Sequence, residues 1–149
     1  MYQKQVLGLA EAQEAIRVMI EEAPKADQPE RPMAFAVADE HGDLIALARM
    51  DGALDFNVRM AIKKARSAAR LKRSTRAIEN ISKNYNRPLC DAVGPEEDLT
   101  DLPGGEIVIE PAGGSFVGAI GAGGRHADVD EALAKKGVEA IQNYLKSSK

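Results

Sequence analysis

Tryptophan is absent, and the aromatic side chains, three Phe and three Tyr, make up 4% of the 149 residues. The core of such a chain must be aliphatic, built from Ala, Val, Ile, Leu and a few Met. The single cysteine, Cys90, allows no internal disulfide and agrees with a reducing compartment. No apolar run approaches the ~18 residues that a membrane-spanning helix needs. The opening Met1-Tyr2-Gln3-Lys4-Gln5 lacks the apolar stretch of a secretory signal, so a cytoplasmic location is expected. Basic excess is lacking too. The net charge of −3 excludes a general nucleic-acid binder, which needs a positive field to displace counterions. No H-x-x-x-H or C-x-x-C spacing suggests a zinc site. Internal repeats and low-complexity stretches are missing. What is present is a 44% hydrophobic content in a length that fits one domain, residues 1–149.

Leu9, Ala12, Ile16, Met19, Ile20 and Ala23 recur at steps of three and four, which predicts an amphipathic helix over 9–23 that stops at Pro24. Two short apolar runs, Met33 to Ala38 and Leu44 to Met50, flank Asp39-Glu40-His41-Gly42-Asp43. That composition predicts a β-hairpin. A helical period returns from Leu54 to Leu71. The Ala61, Ala65, Ala68 and Ala69 spacing suggests a helix packed close against a flat surface such as a sheet. Ser74 or Thr75 can cap a following helix through about Asn84. Residues 85–104, with Pro88, Pro95 and Pro103, read as irregular. A second hairpin, Glu106 to Glu110 and Ser115 to Ala122, turns at Pro111-Ala112-Gly113-Gly114. A last helix runs from about Asp128 to Tyr144. The order α-ββ-αα-ββ-α predicts an α+β domain, an antiparallel sheet of two hairpins with helices packed on it. The glycines at 118, 121, 123 and 124 suggest close backbone approach by a ligand or a second chain.

Four segments stand in this order: VADEHGDLIALARMDGA (37–53), IKKARSAARLKRST (62–75), LPGGEIVI (102–109) and VGAIGAGGRHADVDEALA (117–134). Together they resemble the GlcG/HbpS-like family, sometimes labelled as haem-degrading or as a domain of unknown function, over about residues 7–143. The resemblance implies a profilin-like α+β fold, a homo-oligomer, and binding of a tetrapyrrole, either haem or a corrinoid. It also marks departures. Gly123 stands where relatives often carry Ser. Glu106-Ile107 follows Gly104-Gly105 in place of a hydrophobic residue and Pro. The stretch from Tyr85 to Leu102 is acidic, with Glu96, Glu97, Asp98 and Asp101.

Against that background His41, in the first turn, and His126, before the last helix, are each either a haem-iron ligand or an exposed turn residue. For Cys90 the sequence names no base or positive field to activate the thiol, and it reads as structural or incidental. Lys63, Lys64, Arg66, Arg70, Lys72, Arg73 and Arg76 form a basic segment that is either a solvated face or an anion site. Lys64 falls on the family's recurring lysine in K-A-x-x-A. Arg49, at a strand end, can join Lys64 in holding a carboxylate, with Asp51 or Asp55 moving a proton; Asp51 can equally pair with Arg49 or cap the helix. Gly104, Gly105, Gly121 and Gly123 can offer backbone N–H groups to an anion. The run G-A-I-G-A-G-G closes a hairpin rather than a βαβ unit, which rejects dinucleotide binding. The leading expectation is a tetrapyrrole-binding protein. The alternatives are a catabolic enzyme or auxiliary protein for small organic carboxylates and an oligomerisation module without ligand.

Overall fold

The computed structural model describes residues 1–94 and 98–148, and the side chains of Cys90 and Ala92 fall outside the described set. Helix α1 (Leu9–Glu22) starts where the Gly8 N–H donates to the Glu11 carboxylate at 2.9 Å, and it ends in a 3-10 turn, Ala23–Lys25, entered through Pro24. Strands β1 (Ala34–Asp39) and β2 (Leu44–Arg49) follow. The Asp39 carboxylate ties their turn by accepting from the N–H groups of His41 (2.8 Å) and Asp43 (3.0 Å). Helix α2 (Asp55–Leu71) terminates on Lys72, whose φ of 53° breaks the helical path. Ser74 then caps α3 (Thr75–Asn84) by accepting from the Ala77 N–H at 3.2 Å. Among its described residues, the stretch read from sequence as irregular contains one short helix, α4 (Leu89–Val93). The Glu96 and Glu97 of its acidic run lie outside the described residues. Strands β3 (Gly105–Ile109) and β4 (Phe116–Gly123) form the second hairpin, and α5 (Ala127–Ser147) closes the described chain.

The four strands make one antiparallel sheet in the order β2-β1-β4-β3, so the two hairpins join through β1 and β4. The expected order of elements holds, with α4 added, and the fold is α+β. Helix α2 covers one face of the sheet; α1 and α5 pack on each other and cover the opposite face. Side chains alternate accordingly. Phe35 and Val37 of β1 and Ile120 and Ala122 of β4 join Met19, Met33, Leu133 and Ile141 on the α1/α5 face. Ala34, Ala36 and Ala38 meet Ala61 and Ala65 of α2, and Ala119 meets Ala68 and Ala69.

The α2 face is therefore built from the smallest side chains, and helix and sheet approach to backbone contact. A Cβ at Gly121 would overlap the Ala61 carbonyl oxygen, and one at Gly105 would overlap the Lys64 carbonyl. One at Gly123 would come 2.9 Å from the Asn57 carbonyl. Of the four glycines expected to allow close approach, Gly121 and Gly123 thus meet the α2 backbone, whereas a Cβ at Gly118 would meet the Ala38 carbonyl and Leu7, and one at Gly124 the Pro32 carbonyl.

Candidate functional site

The most deeply buried ionic group lies where β3 begins. Lys64, from the middle of α2, reaches past Gly104 to Asp130, in the first turn of α5, with Nζ 2.9 Å from Oδ2. The same ammonium donates to the Ala122 carbonyl at 3.0 Å, and the second Asp130 oxygen accepts from the Arg125 N–H at 3.0 Å. Both side chains are almost wholly enclosed, Lys64 at 4% and Asp130 at 2% exposure. Burial pushes the Asp130 carboxyl up, while the Lys64 charge and the hydrogen bonds from Lys64 and Arg125 pull it back. Beside it, the Arg125 guanidinium donates to the carbonyls of Ala23 (2.6 Å), Arg31 (2.9 Å), Asp27 (3.3 Å) and Pro29 (3.3 Å), which fixes the loop after α1. Thr75 completes this end of β3: its Oγ1 accepts from the Gly105 N–H at 2.9 Å. Every polar atom here has a partner inside the protein, so the arrangement works as a clamp between α2, β4 and α5.

Arg49 does not join Lys64. It stands exposed at the end of edge strand β2, two strands away from β4. Asp51 is exposed in the following turn and caps nothing, since Leu54 is the residue before α2 and gives no side-chain hydrogen bond. Asp55 is exposed and pairs with Arg59 at 3.1 Å. The expected carboxylate cleft of Arg49, Lys64 and Asp51 or Asp55 is thus not brought together. Gly104, Gly105, Gly121 and Gly123 line the Lys64 clamp and the seat of α2 rather than an open nest. Of the basic segment, Lys63 and Arg66 hold Asp98 at 3.1 and 3.3 Å, so this acid of the stretch lies against the helix. Cys90 carries no described side chain.

The two histidines lie at opposite ends of the sheet. The His41 turn follows Asp39, which pairs with Gly118; His126 follows the end where Ala34 pairs with Gly123. Five residues at about 3.4 Å each separate the two ends by about 17 Å, so one iron cannot be held by both. His126 is committed to α5, its Nδ1 accepting from the Asp128 N–H at 3.2 Å. His41 is exposed, with Nε2 3.3 Å from the Glu40 carboxylate, which in turn holds Lys4 at 3.1 Å.

His41 borders a depression of about 980 Å³ between the first residues of the chain and the β3–β4 turn. Lys4, Glu40, Lys72, Glu110 and Phe116 also line it. The Lys72 ammonium lies 6.0 Å from the centre of the Phe116 ring. The Glu110 carboxylate is turned inward to accept from the N–H groups of Ala112 (2.9 Å) and Gly113, which shapes the floor. Sequence reasoning named His41 but missed Lys4, Glu40 and Phe116, because nothing local to residue 41 says that the N-terminal segment and a second hairpin border it. No group of three or more His, Cys, Asp or Glu among the described residues is placed to hold a metal ion.

The family model described as haem degrading protein, HbpS-like, matches residues 7–139. The chain belongs to the HbpS-like family. Protein GlcG of Escherichia coli K12 is 35% identical over 89 residues, 60% of this chain, and that match spans only 62% of GlcG. Among solved structures, a double-mutant form of Streptomyces reticuli HbpS is 28% identical with a TM-score of 0.78, over 93% of this chain and 89% of that one. Klebsiella pneumoniae protein ORFY, assigned to DUF336, superposes with a TM-score of 0.83 at 24% identity over 95% and 94% of the two chains. The latter likeness establishes the fold. The resemblance read from the four sequence segments is therefore correct, and the HbpS-like fold puts the paired His41–Glu40 at one end of the sheet and the closed Lys64–Asp130 clamp at the other. No helix among the described residues is long and apolar enough to cross a membrane.

Proposed function

We propose that this HbpS-like protein binds a metal tetrapyrrole, haem in the first instance, in the depression beside His41. The observation that carries the reading is the His41–Glu40 contact at 3.3 Å. A carboxylate beside Nε2 restrains the ring on that side and leaves Nδ1 for a metal, as carboxylate neighbours do for many metal-binding imidazoles. The surroundings fit the rest of the group. Phe116 offers an apolar wall, and Lys4 and Lys72 offer cations to propionates. A depression of about 980 Å³ is at the top of the range for small-molecule sites. The family's description as haem-degrading and the likeness to HbpS support the same ligand class. A haem held there would supply an iron for the imidazole and any redox chemistry. This chain's part is to ligate with His41, hold the imidazole with Glu40 and neutralise carboxylates with the two lysines.

Hemin, and in a separate titration cobalamin, is added to the purified protein while the visible spectrum is recorded. A saturable, shifted haem band that is lost in His41→Ala and kept in His126→Ala is the expected result. A band unchanged in His41→Ala, or no saturable change with either cofactor, overturns the reading.

A further inference from the structure

Helices α3 and α4 enclose a second, very different concavity. It is a groove of about 330 Å³ whose floor and walls are Leu71, Ile78, Ile81, Tyr85, Leu89 and Val93, with Arg73 and Arg87 at its rim. The fold leaves two of these apolar side chains in water, Ile81 at 38% and Tyr85 at 75% exposure. Several guanidiniums are held by acids: Arg17 by Glu14 and Glu21 at 2.7 Å, Arg76 by Asp128 at 2.6 Å and Glu131 at 3.1 Å, and Arg66 by Asp98 at 3.3 Å. The Arg73 guanidinium donates only to the Leu71 carbonyl, at 3.1 Å, and that of Arg87 has no side-chain partner among the described residues.

We propose that the α3–α4 groove is a second ligand site, separate from the His41 depression, and that it takes a small amphiphilic monocarboxylate. The apolar body lies among Ile78, Ile81, Tyr85 and Leu89, and the carboxylate sits on Arg73 and Arg87. Charge sets the head group: two forked guanidiniums with no acid partner among the described residues match a planar carboxylate by paired hydrogen bonds. Size sets the class: about 330 Å³ is the lower end of small-molecule sites, whereas a stable protein partner needs about 800 Å² of surface from each side. The fold keeps Arg49 and Lys64 apart but places Arg73 and Arg87 on one groove.

The test titrates 4-phenylbutyrate, its alcohol 4-phenylbutan-1-ol, and acetate into the full chain, followed by backbone amide NMR shifts. The butyrate binds saturably, with shifts confined to α3, α4 and the end of α2. The alcohol binds about tenfold more weakly, the loss expected for one charge-assisted hydrogen bond, and acetate gives no saturation. Arg73→Gln/Arg87→Gln brings the butyrate down to the alcohol's affinity, and Ile81→Asp weakens both; all three positions are at the surface, so the fold is retained. Equal binding of acid and alcohol, or an unaltered affinity for the acid in the double variant, overturns the proposal. Hemin titration of the double variant keeps the two sites distinguishable, since its haem band is expected to match the wild type.

Discussion

The two faces of the sheet are packed by opposite means. Toward α1 and α5 the sheet presents Phe35, Val37 and Ile120, side chains that fill space and meet Met19, Met33 and Ile141. Toward α2 it presents alanine and glycine, and the helix backbone settles onto the strand backbone. The first face is stabilised by apolar area removed from water, at roughly 25 cal/mol per Å². On the second little side-chain area is available, and the gain comes from dispersion between closely spaced backbones, which falls off steeply with any gap. A face of large side chains can relax around a lost methyl group. A face made of backbone contact has no side chain that can move aside.

Adjacent residues of β4 test that difference most strongly. Ile120→Ala leaves a cavity on the α1/α5 face and is expected to cost about 2–5 kcal/mol with the fold retained. Gly121→Ala adds one carbon on the α2 face, where it overlaps the Ala61 carbonyl oxygen and comes 2.7 Å from the Ala65 nitrogen. It is expected to cost more than about 5 kcal/mol, enough to leave a chain of ordinary stability without a cooperative transition. Urea unfolding of the two variants measures both. A Gly121→Ala variant more stable than Ile120→Ala would mean that α2 can lift from the sheet, and the contrast between the faces would be lost.

The Lys64–Asp130 clamp is where the two faces are tied together, since it links α2 on one side to α5 on the other at the end of β3. Lys64→Met leaves an enclosed carboxylate without its paired ammonium and is expected to cost about 3–5 kcal/mol. Lys64→Met/Asp130→Leu removes both charges and is expected to recover much of that loss. A double-mutant cycle by chemical denaturation reads the coupling directly. If the single and the double variant lose the same stability, the pair is only two packed side chains and not a clamp.

Both halves of this arrangement carry a sequence signal, and neither signal is sufficient alone. The i, i+4, i+7, i+8 spacing of Ala61, Ala65, Ala68 and Ala69 predicts a helix on a flat surface, and the glycines of β4 predict a close approach. That each is the other's partner follows only from the topology, which lays α2 along β1 and β4. Helices and hairpins were legible because periodicity and turn residues are local. Lys64 stood out as a motif lysine, but Asp130 lies 66 residues away and no pattern links them. The His41 depression was half legible. The turn and its histidine are local features, whereas Phe116 and the opening residues reach it through pairing of the two hairpins.

The remaining contrast lies in how each face treats an ionisable group. On the α2 side Lys64 is fully paired. On the α5 side, Glu106 of β3 is half-buried with no hydrogen bond or ion pair among the described residues. Desolvation pushes its carboxyl up to about 7; the charges of Lys135 and Arg76 oppose the rise, and Glu131 adds to it. A carboxyl whose folded value is raised favours the folded state while it is protonated. Its contribution is complete below the unfolded value of 4.5 and is lost as the pH climbs through about 7. Wild-type stability is therefore expected to decline between pH 4.5 and 8 relative to Glu106→Gln, which keeps the shape without the charge. The two should match near pH 4, and the variant should be more stable by about 1–2 kcal/mol at pH 8, the smallest of the effects argued here because solvent still reaches the group. Thermal unfolding of both proteins across that range is the measurement. Parallel curves would mean that Glu106 is as well hydrated as a surface acid, and that the α5 side, like the α2 side, leaves no charge uncompensated.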